Sequence, residues 1–137
     1  MCGIAGYISK KKPQKKILKK MTDRIAYRGP DAEGFYLDDE CALGHRRLSI
    51  IDLSTGNQPI YNETKEVVIV FNGEIYNYVE LREELKKKNH QFVTSTDTEV
   101  LVHGYEEWGH ELTKKLRGMF AFAIWDKVNK ELYLARD

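Results

Sequence analysis

The chain has 137 residues and a net charge of +1, with 42% hydrophobic and 31% charged residues, which is typical of one globular domain. The near-neutral charge favours neither nucleic acid nor an anionic membrane, and every apolar run is far shorter than the ~18 residues of a membrane span. The apolar start is too short for a signal peptide and is followed by lysines. We therefore expect a cytoplasmic protein that binds neither nucleic acid nor membrane.

The first segment, MCGIAGYI, predicts a strand with Cys2 at its beginning. Initiator methionine is usually removed before a small residue, and its removal would leave Cys2 with both a thiol and an α-amine. An α-amine titrates near ~7.7–8.0, so one residue would supply a nucleophile and its base. Most cysteines at this position have no catalytic role, but Gly3 and Gly6 indicate close approach of a ligand or another backbone. Cys2 is therefore a candidate nucleophile, whose amine base stays blocked as long as Met1 is attached.

Cysteine and histidine spacing does not favour a metal site. Cys2 and Cys41 form neither a disulfide framework nor a C-x-x-C pair, and Cys41 is interpreted as a small buried hydrophobe. Four histidines are scattered along the chain: His45, His90, His103 and His110. Since none of them forms an i, i+4 pair with another histidine, the sequence predicts no zinc site.

Residues 10–25 predict an amphipathic helix, with Pro13 in its first turn and apolar residues at helical spacing. Its lysines are interpreted as a solvated basic face; nucleic-acid or membrane binding is the alternative, but the stripe lacks interleaved aromatic residues. Gly29-Pro30 ends this helix. Arg28 and Asp31 could pair across the turn, in a structural rather than a chemical role.

Residues 35–37 and 41–45 predict two strands around an acidic turn. Arg46 and Arg47 follow, and in a strand their side chains point to opposite faces. Only one of these arginines can therefore face an interior site. Gly56-Asn57-Gln58-Pro59 is interpreted as a loop.

Residues 67–71 are continuously apolar and predict a strand buried on both faces, ending at Asn72-Gly73-Glu74. Residues 77–80 resemble a capping box that opens a helix through Lys88, supported by the i, i+4 pairs Glu83–Lys87 and Glu84–Lys88. Asn72-Gly73 would then lie between a strand and a helix. A hairpin turn is the alternative, but a carboxamide and an unobstructed N–H at this place could form an oxyanion hole.

The last third of the chain predicts a helix and two further strands. Residues 95–99 open the helix, with Asp97 as its N-cap. Residues 119–125 form a second apolar strand, 126–130 a polar turn, and 131–136 an alternating strand. A strand this close to the end of the chain indicates a truncated domain.

Seven segments together resemble, in order, the glutaminase domain of class II glutamine amidotransferases, and among these the asparagine synthetase B branch. They are Met1–Gly6, Arg28–Asp31, His45–Asp52, Gly56–Pro59, Phe71–Asn77, Thr96–Glu99 and Gly118–Ala123. The resemblance covers essentially the whole chain. It implies an α+β N-terminal-nucleophile hydrolase, a four-layer αββα sandwich with mostly antiparallel sheets, truncated at its C-terminus.

The resemblance also implies a chemistry: Cys2 attacks the side-chain amide of glutamine and forms a thioester, ammonia leaves, and water releases glutamate. Asn72 and Gly73 correspond to the oxyanion hole, Arg47 to the group that holds the substrate carboxylate, and Glu74 and Asp97 to the acceptors of its ammonium group. The implied glutamine-binding set is completed by Leu48, Ser49, Ile50 and Ile51. A pocket for zwitterionic glutamine should offer a guanidinium at one end and an acid at the other.

Residues 1–137 would form one glutaminase domain, incomplete at its C-terminus and needing no cofactor or metal. In the full-length protein, the resemblance implies a synthetase domain in cis that uses ATP and Mg to make asparagine from aspartate, and a homodimer is one expected assembly. The phosphate loop of that domain is absent here. Two alternatives stay open: a glutaminase domain serving another acceptor, and a non-catalytic module in which Cys2 is inert or a redox thiol.

Overall fold

The chain folds into two antiparallel sheets in the computed structural model, which describes residues 1–49 and 56–137. The strands are β1 (Gly3–Ile8), β2 (Ala32–Leu37), β3 (Cys41–Arg47), β4 (Ile60–Tyr61), β5 (Val67–Ile75), β6 (Gly118–Asp126) and β7 (Glu131–Arg136). The helices are α1 (Lys15–Arg24), α2 (Tyr78–Lys87), α3 (Glu99–Trp108) and α4 (Leu112–Lys115). Short 3₁₀ turns cover Ala26–Arg28 and Gly109–Glu111.

The strand order is β1-β3-β2 in the first sheet and β4-β5-β6-β7 in the second. Gly3 lies opposite Arg46, so Cys2, one residue earlier, comes next to the C-terminal end of β3. In the second sheet Asn72 lies opposite Ala121 and Gly73 opposite Phe120. Because β1 and β3 both lie against β5, the register brings the start of β1 towards the middle of β5.

Two apolar cores separate the layers. Between the sheets lie Tyr36, Cys41, Leu43, Val68, Val70, Ala123 and Trp125. A second core joins the other face of β5, through Val67, Ile69 and Phe71, to the helices α2–α4. Helix α1 covers the outer face of the first sheet, where Leu18 and Thr22 pack over Gly44. The predicted four-layer αββα arrangement and the two-sided burial of β5 are thus confirmed.

Strand β5 is longer than the sequence predicts, because it runs through Asn72-Gly73-Glu74 to Ile75 instead of ending there. These residues stay paired with residues 118–121 of β6. The backbone of Gly73 has φ 152°, and a Cβ added there would lie 2.1 Å from the Met119 carbonyl oxygen. Only glycine fits so close a backbone approach, and this glycine lets the pairing continue where the sequence suggested a turn.

The predicted capping box at residues 77–80 is wrong, although helix α2 begins at Tyr78 as expected. The Asn77 side chain accepts the Arg117 N–H (3.0 Å) and donates to the Lys115 carbonyl oxygen (2.9 Å). It therefore joins the start of α2 to the segment that precedes β6. The same amide chemistry serves a helix cap or a long-range clamp, and the local sequence does not distinguish the two.

The predicted i, i+4 pairs Glu83–Lys87 and Glu84–Lys88 are replaced by salt bridges to other residues. Glu83 pairs with Lys86, Glu84 with Lys115, and Lys88 with Glu107. The last two pairs connect separate segments, since helices α2, α3 and α4 pack together against the second sheet. None of the described helices combines the length and the apolar character that crossing a membrane requires.

Candidate active site

Cys2 immediately precedes β1 and is held there by the backbone of Leu48 and the side chain of Arg28. The Leu48 N–H donates to Cys2 Sγ at 3.5 Å, and the thiol donates to the Leu48 carbonyl oxygen at 3.9 Å. The Arg28 Nε–H donates to the Cys2 carbonyl oxygen at 3.0 Å. A backbone N–H aimed at the sulfur stabilises a thiolate, so this geometry suits a nucleophile.

Arg28 and Asp31 therefore do not act as the simple pair that the sequence suggested. Asp31 Oδ2 accepts the Ser49 N–H at 2.7 Å, and the Asp31 N–H donates to the Arg47 carbonyl oxygen at 3.0 Å. The Arg-Gly-Pro-Asp turn thus secures both Cys2 and the chain that leaves β3. Sequence reasoning missed this positioning role because both contacts reach distant segments.

A cavity of about 400 Å³ opens beside Cys2 between the two sheets and the start of α3. The sequence-predicted site residues that line it are Cys2, Arg47, Leu48, Asn72, Gly73, Glu74 and Asp97. Ser49 is not among the lining residues, although its backbone is tied to Asp31. Ile50 and Ile51 lie outside the described residues. The seven lining residues come from four separate stretches of the chain, which the fold brings together.

The backbone just before the Asn72-Gly73 pair is fixed by two side chains. Gln58 Oε1 accepts the Phe71 N–H at 2.6 Å, and Gln58 Nε2 donates to the Phe71 carbonyl oxygen at 3.0 Å. His45 Nε2 donates to the same carbonyl at 3.2 Å. Burial, opposed by this hydrogen bond, lowers the pKa of His45 to about 4, so the imidazole is neutral near pH 7. The two cavity-lining donors at 72 and 73 therefore follow a rigid peptide, which suits an oxyanion hole.

Arg47 is the arginine that faces the interior, and only 7% of it is exposed. Its Nη1 donates to Asn57 Oδ1 at 2.9 Å. A Cβ on Gly56 would lie 2.5 Å from Arg47 Nη2, so this glycine leaves the room that the guanidinium occupies. Arg46 points to the opposite face, where it pairs with Glu33 at 2.8 Å and with Asp23. The expectation that only one of the two arginines reaches the interior is confirmed.

The acidic end of the cavity is formed by Glu74 and Asp97. Burial raises the pKa of Asp97 and the nearby negative charge of Glu74 raises it further, while the Ile75 N–H, donating at 2.8 Å, favours the ionised form. Asp97 was predicted as the N-cap of α3, but the helix begins at Glu99 and the side chain is used by β5 instead. Two acids that repel one another beside a cavity are suited to receive an ammonium group.

The wall that carries Asp97 is held from behind by two charged side chains. Arg82 donates to the carbonyl oxygens of Thr94 (3.0 Å) and Thr96 (2.8 Å). Glu99, which is 1% exposed, accepts the N–H groups of Val93 (2.8 Å) and Thr94 (2.7 Å). The cavity wall is therefore anchored to both α2 and α3.

Replacing Asp97 by asparagine is expected to stabilise the ligand-free protein and to weaken substrate binding. The folded-state pKa of Asp97 lies above its ordinary value of 3.8, so the folded protein binds the extra proton, and stability falls as the pH rises from that value through the folded-state pKa. Asparagine keeps an oxygen for the Ile75 N–H and removes this slope. Urea unfolding between pH 4 and pH 8 measures the effect; a pH slope that is unchanged in Asp97→Asn would contradict it.

The same variant should also raise the KM for the substrate roughly tenfold or more, as for a lost charged hydrogen bond.

Comparison with known proteins identifies the family of this chain. Residues 1–137 match the model of a family described as the glutamine amidotransferase domain. The glutamine-hydrolyzing asparagine synthetase 1 of Bacillus subtilis (strain 168) is 48% identical over 142 residues, which cover 100% of this chain and 22% of the relative. The glutamine-hydrolyzing asparagine synthetase 2 of Arabidopsis thaliana is 45% identical over 140 residues, covering 100% of this chain and 24% of the relative.

A solved structure with a similar fold is also named an amidotransferase. The glutamine phosphoribosylpyrophosphate amidotransferase from B. subtilis, complexed with ADP and GMP, has a TM-score of 0.57 and 25% sequence identity. The alignment covers 74% of this chain and 24% of that one. The chain thus spans about a quarter or less of the length of the relatives it matches.

Proposed function

The chain belongs to the glutamine amidotransferase domain family, and we propose that it hydrolyses the side-chain amide of glutamine to glutamate and ammonia. The observation that carries the proposal is the shared cavity of about 400 Å³, which is lined by a thiol, a carboxamide, an arginine and two acids. An inert scaffold has no need for a nucleophile together with anchors for both charges of an amino acid.

The reaction begins once Met1 has been removed, so that Cys2 carries an α-amine. The amine accepts the thiol proton while Sγ attacks the amide carbon, and the Leu48 N–H at 3.5 Å steadies the charge on sulfur. Asn72 and Gly73 donate to the developing oxyanion. The amine then protonates the leaving nitrogen, ammonia departs, and the same base activates the water that hydrolyses the thioester.

Substrate recognition follows from the two charged ends of the cavity. Arg47 binds the α-carboxylate, with its guanidinium already oriented by Asn57. Asp97 and Glu74 receive the α-ammonium group, whose positive charge relieves the repulsion that raises the Asp97 pKa. Because Arg47 is buried and Asp97 is partly withdrawn from water, analogues that lack either charge are expected to be rejected.

The longer protein around this domain is a second part of the proposal. Since the chain spans only 19–24% of the first curated relatives, we place a synthetase domain in cis, where ATP and Mg would activate aspartate for amidation to asparagine. The ammonia would pass from Cys2 to that domain in the cytoplasm, within a homodimer. A different acceptor is the alternative, and the chemistry of the second domain discriminates the two.

The direct test is the intact mass of the purified protein before and after incubation with an electrophilic glutamine analogue. The expected result is loss of the Met1 mass and gain of one adduct, mapped to Cys2 by peptide analysis, together with ammonia release from glutamine. A processed, folded protein that gains no adduct and releases no ammonia would refute the proposal. Asparagine formation in the longer protein, with aspartate and ATP supplied, tests the acceptor separately.

Replacing Arg47 by methionine is expected to raise the KM for glutamine roughly 10- to 100-fold with a much smaller change in kcat, because one charge-assisted interaction is lost. Arg46→Met is the matched control, since that arginine lies in the same strand but pairs with Glu33 and Asp23 on the opposite face. Steady-state ammonia release measures both variants. Equal KM values for the two variants would contradict the assignment of Arg47.

A further inference from the structure

A second group of chemically active side chains lies away from the cavity, where the turn after β4 meets helices α2 and α3. We call it the His–Glu cluster; its members are Glu63, His90, His103 and Glu106. His103 and Glu106 lie one turn apart on α3, His90 follows the end of α2, and Glu63 belongs to the turn between β4 and β5. One ligand atom from each side chain lies within 4.8 Å of every other.

The spacing of these atoms is close to that of a tetrahedral metal site. His103 Nδ1 lies 3.4 Å from Glu63 Oε2 and 3.4 Å from Glu106 Oε2. His90 Nδ1 lies 3.7 Å from Glu63 Oε1 and 3.7 Å from Glu106 Oε2. A tetrahedral zinc ion with bonds of ~2.0–2.2 Å holds neighbouring ligand atoms roughly 3.3–3.6 Å apart. Glu63 approaches the two histidines with different oxygens, and the four ligand atoms lie within 4.8 Å of one another, so a bound ion would draw the side chains together to complete that geometry.

The outer contacts of both histidines have the form found around bound metals. With both Nδ1 atoms facing inward, His103 Nε2 lies 3.4 Å from Glu99 Oε1 and His90 Nε2 lies 3.2 Å from Glu107 Oε2. A carboxylate on the remote nitrogen of a ligating histidine fixes its tautomer and raises its basicity.

The carboxylates of the cluster are oriented in a similar way. Asn62 Nδ2 donates to Glu106 Oε1 at 2.6 Å, which leaves Oε2 directed at the histidines. The Gln91 N–H donates to Glu63 Oε1 at 2.9 Å. Each ligand is thus held by a neighbour, and the 35% exposure of the Glu63 side chain leaves a path for entry from solvent.

We propose that the His–Glu cluster binds one divalent transition-metal ion of the zinc type. Two imidazole nitrogens and two carboxylate oxygens match the ligand preference of zinc and its neighbours, whereas calcium and magnesium prefer sites built from oxygen alone. The sequence predicts no zinc site because no two of its histidines form an i, i+4 pair. The ligands of this cluster come from three segments that meet only in the folded protein.

A bound ion would reinforce the wall of the catalytic cavity. Glu99, the outer contact of His103, also accepts the N–H groups of Val93 and Thr94. These residues lead directly into residues 95–98, which line the cavity. The proposed role of the ion is therefore structural, and it is independent of the chemistry at Cys2.

A proton on His103 competes with a metal ion for the His–Glu cluster. Burial opposes that charge, but hydrogen bonds to Glu106 and Glu99 raise the pKa of His103 to about 9. A protonated imidazole could hold the acids together without any metal, so the experiment must detect coordination itself.

The test is a titration of the metal-free purified protein with cobalt(II), whose visible absorption distinguishes tetrahedral coordination from the hydrated ion. It is carried out in a Cys2→Ala background, because the N-terminal thiol is itself a metal ligand. We expect one equivalent to bind with a tetrahedral spectrum, and zinc to displace it. His90→Gln and Glu63→Gln should each weaken binding at least ~10-fold. His110→Gln is the matched control, since that histidine is 62% exposed and pairs with Glu131 outside the cluster.

Two results would overturn the proposal: a Cys2→Ala protein that shows no tetrahedral spectrum, or one whose cobalt affinity is the same with His90→Gln as with His110→Gln. Circular dichroism first establishes that each variant is folded. If His90→Gln fails to fold, Glu63→Gln decides alone, because the Glu63 side chain is 35% exposed and glutamine has the same shape.

Discussion

Ammonia release from glutamine is expected to fall by at least about 10⁴-fold when Cys2 is replaced by alanine, because removal of a covalent nucleophile leaves only the contribution of the binding site. The folded structure should persist, since the hydrogen bonds of the thiol to the described residues are with the backbone of Leu48. Labelling by an electrophilic glutamine analogue should be lost together with turnover. Both are measured on protein whose N-terminus has been established by mass.

Cys41→Ala is the matched control for this prediction. Cys41 is fully buried in the core between the sheets, and burial raises the pKa of its thiol to about 12, so it stays protonated and inert. Its loss should lower stability slightly and leave turnover and labelling unchanged. Ammonia release that survives Cys2→Ala, or disappears in Cys41→Ala, would refute Cys2 as the nucleophile.

Replacing Asn72 by alanine is expected to lower kcat by roughly 10²–10³-fold, the cost of one oxyanion-hole donor. KM should change little, because the carboxylate and ammonium anchors are untouched. Asn72→Asp makes the test sharper, since aspartate has the same shape but accepts rather than donates, and it should be at least as impaired. Single-turnover measurement of thioester formation separates this effect from product release.

An Asn72→Asp variant with nearly normal kcat would show that shape, rather than donation, matters at this position. Gly73 offers no comparable test. A side chain there would collide with the Met119 carbonyl oxygen at 2.1 Å, so any loss of activity would reflect the disrupted pairing of β5 with β6. The backbone donor is therefore best probed indirectly, through the two side chains that fix Phe71.

The elements that were predicted well are those whose burial leaves a local signature. The apolar run at residues 67–71 identified β5, since a strand covered on both faces is apolar throughout. The adjacent arginines predicted that one side chain would point inward, because strand side chains alternate. The candidate residues of the cavity came from a family resemblance, and the fold brings seven of them around one space.

What could not be predicted depends on contacts between distant segments. Asn57 and Gln58 belong to a segment that the sequence predicts only as a loop, yet they hold Arg47 and Phe71. Asn77 has the residue type of a helix cap but serves residues 115 and 117. The His–Glu cluster has no linear pattern at all. In each case the residue type permits the role, and only the fold determines the partner.

The two hydrogen bonds between Gln58 and Phe71 fix a distance across the candidate active site. Asn57 orients Arg47, which we propose binds the substrate carboxylate, and Gln58 fixes Phe71 in the strand that carries the proposed oxyanion donors. The peptide that joins Asn57 to Gln58 therefore fixes the distance between Arg47 and the strand that carries Asn72. Asparagine is one methylene shorter than glutamine, so its amide would stop about 1 Å short of the thiol, and misplacement on that scale can cost ~100-fold in rate. This fixed distance would prevent the hydrolysis of asparagine by a domain whose relatives are named asparagine synthetases.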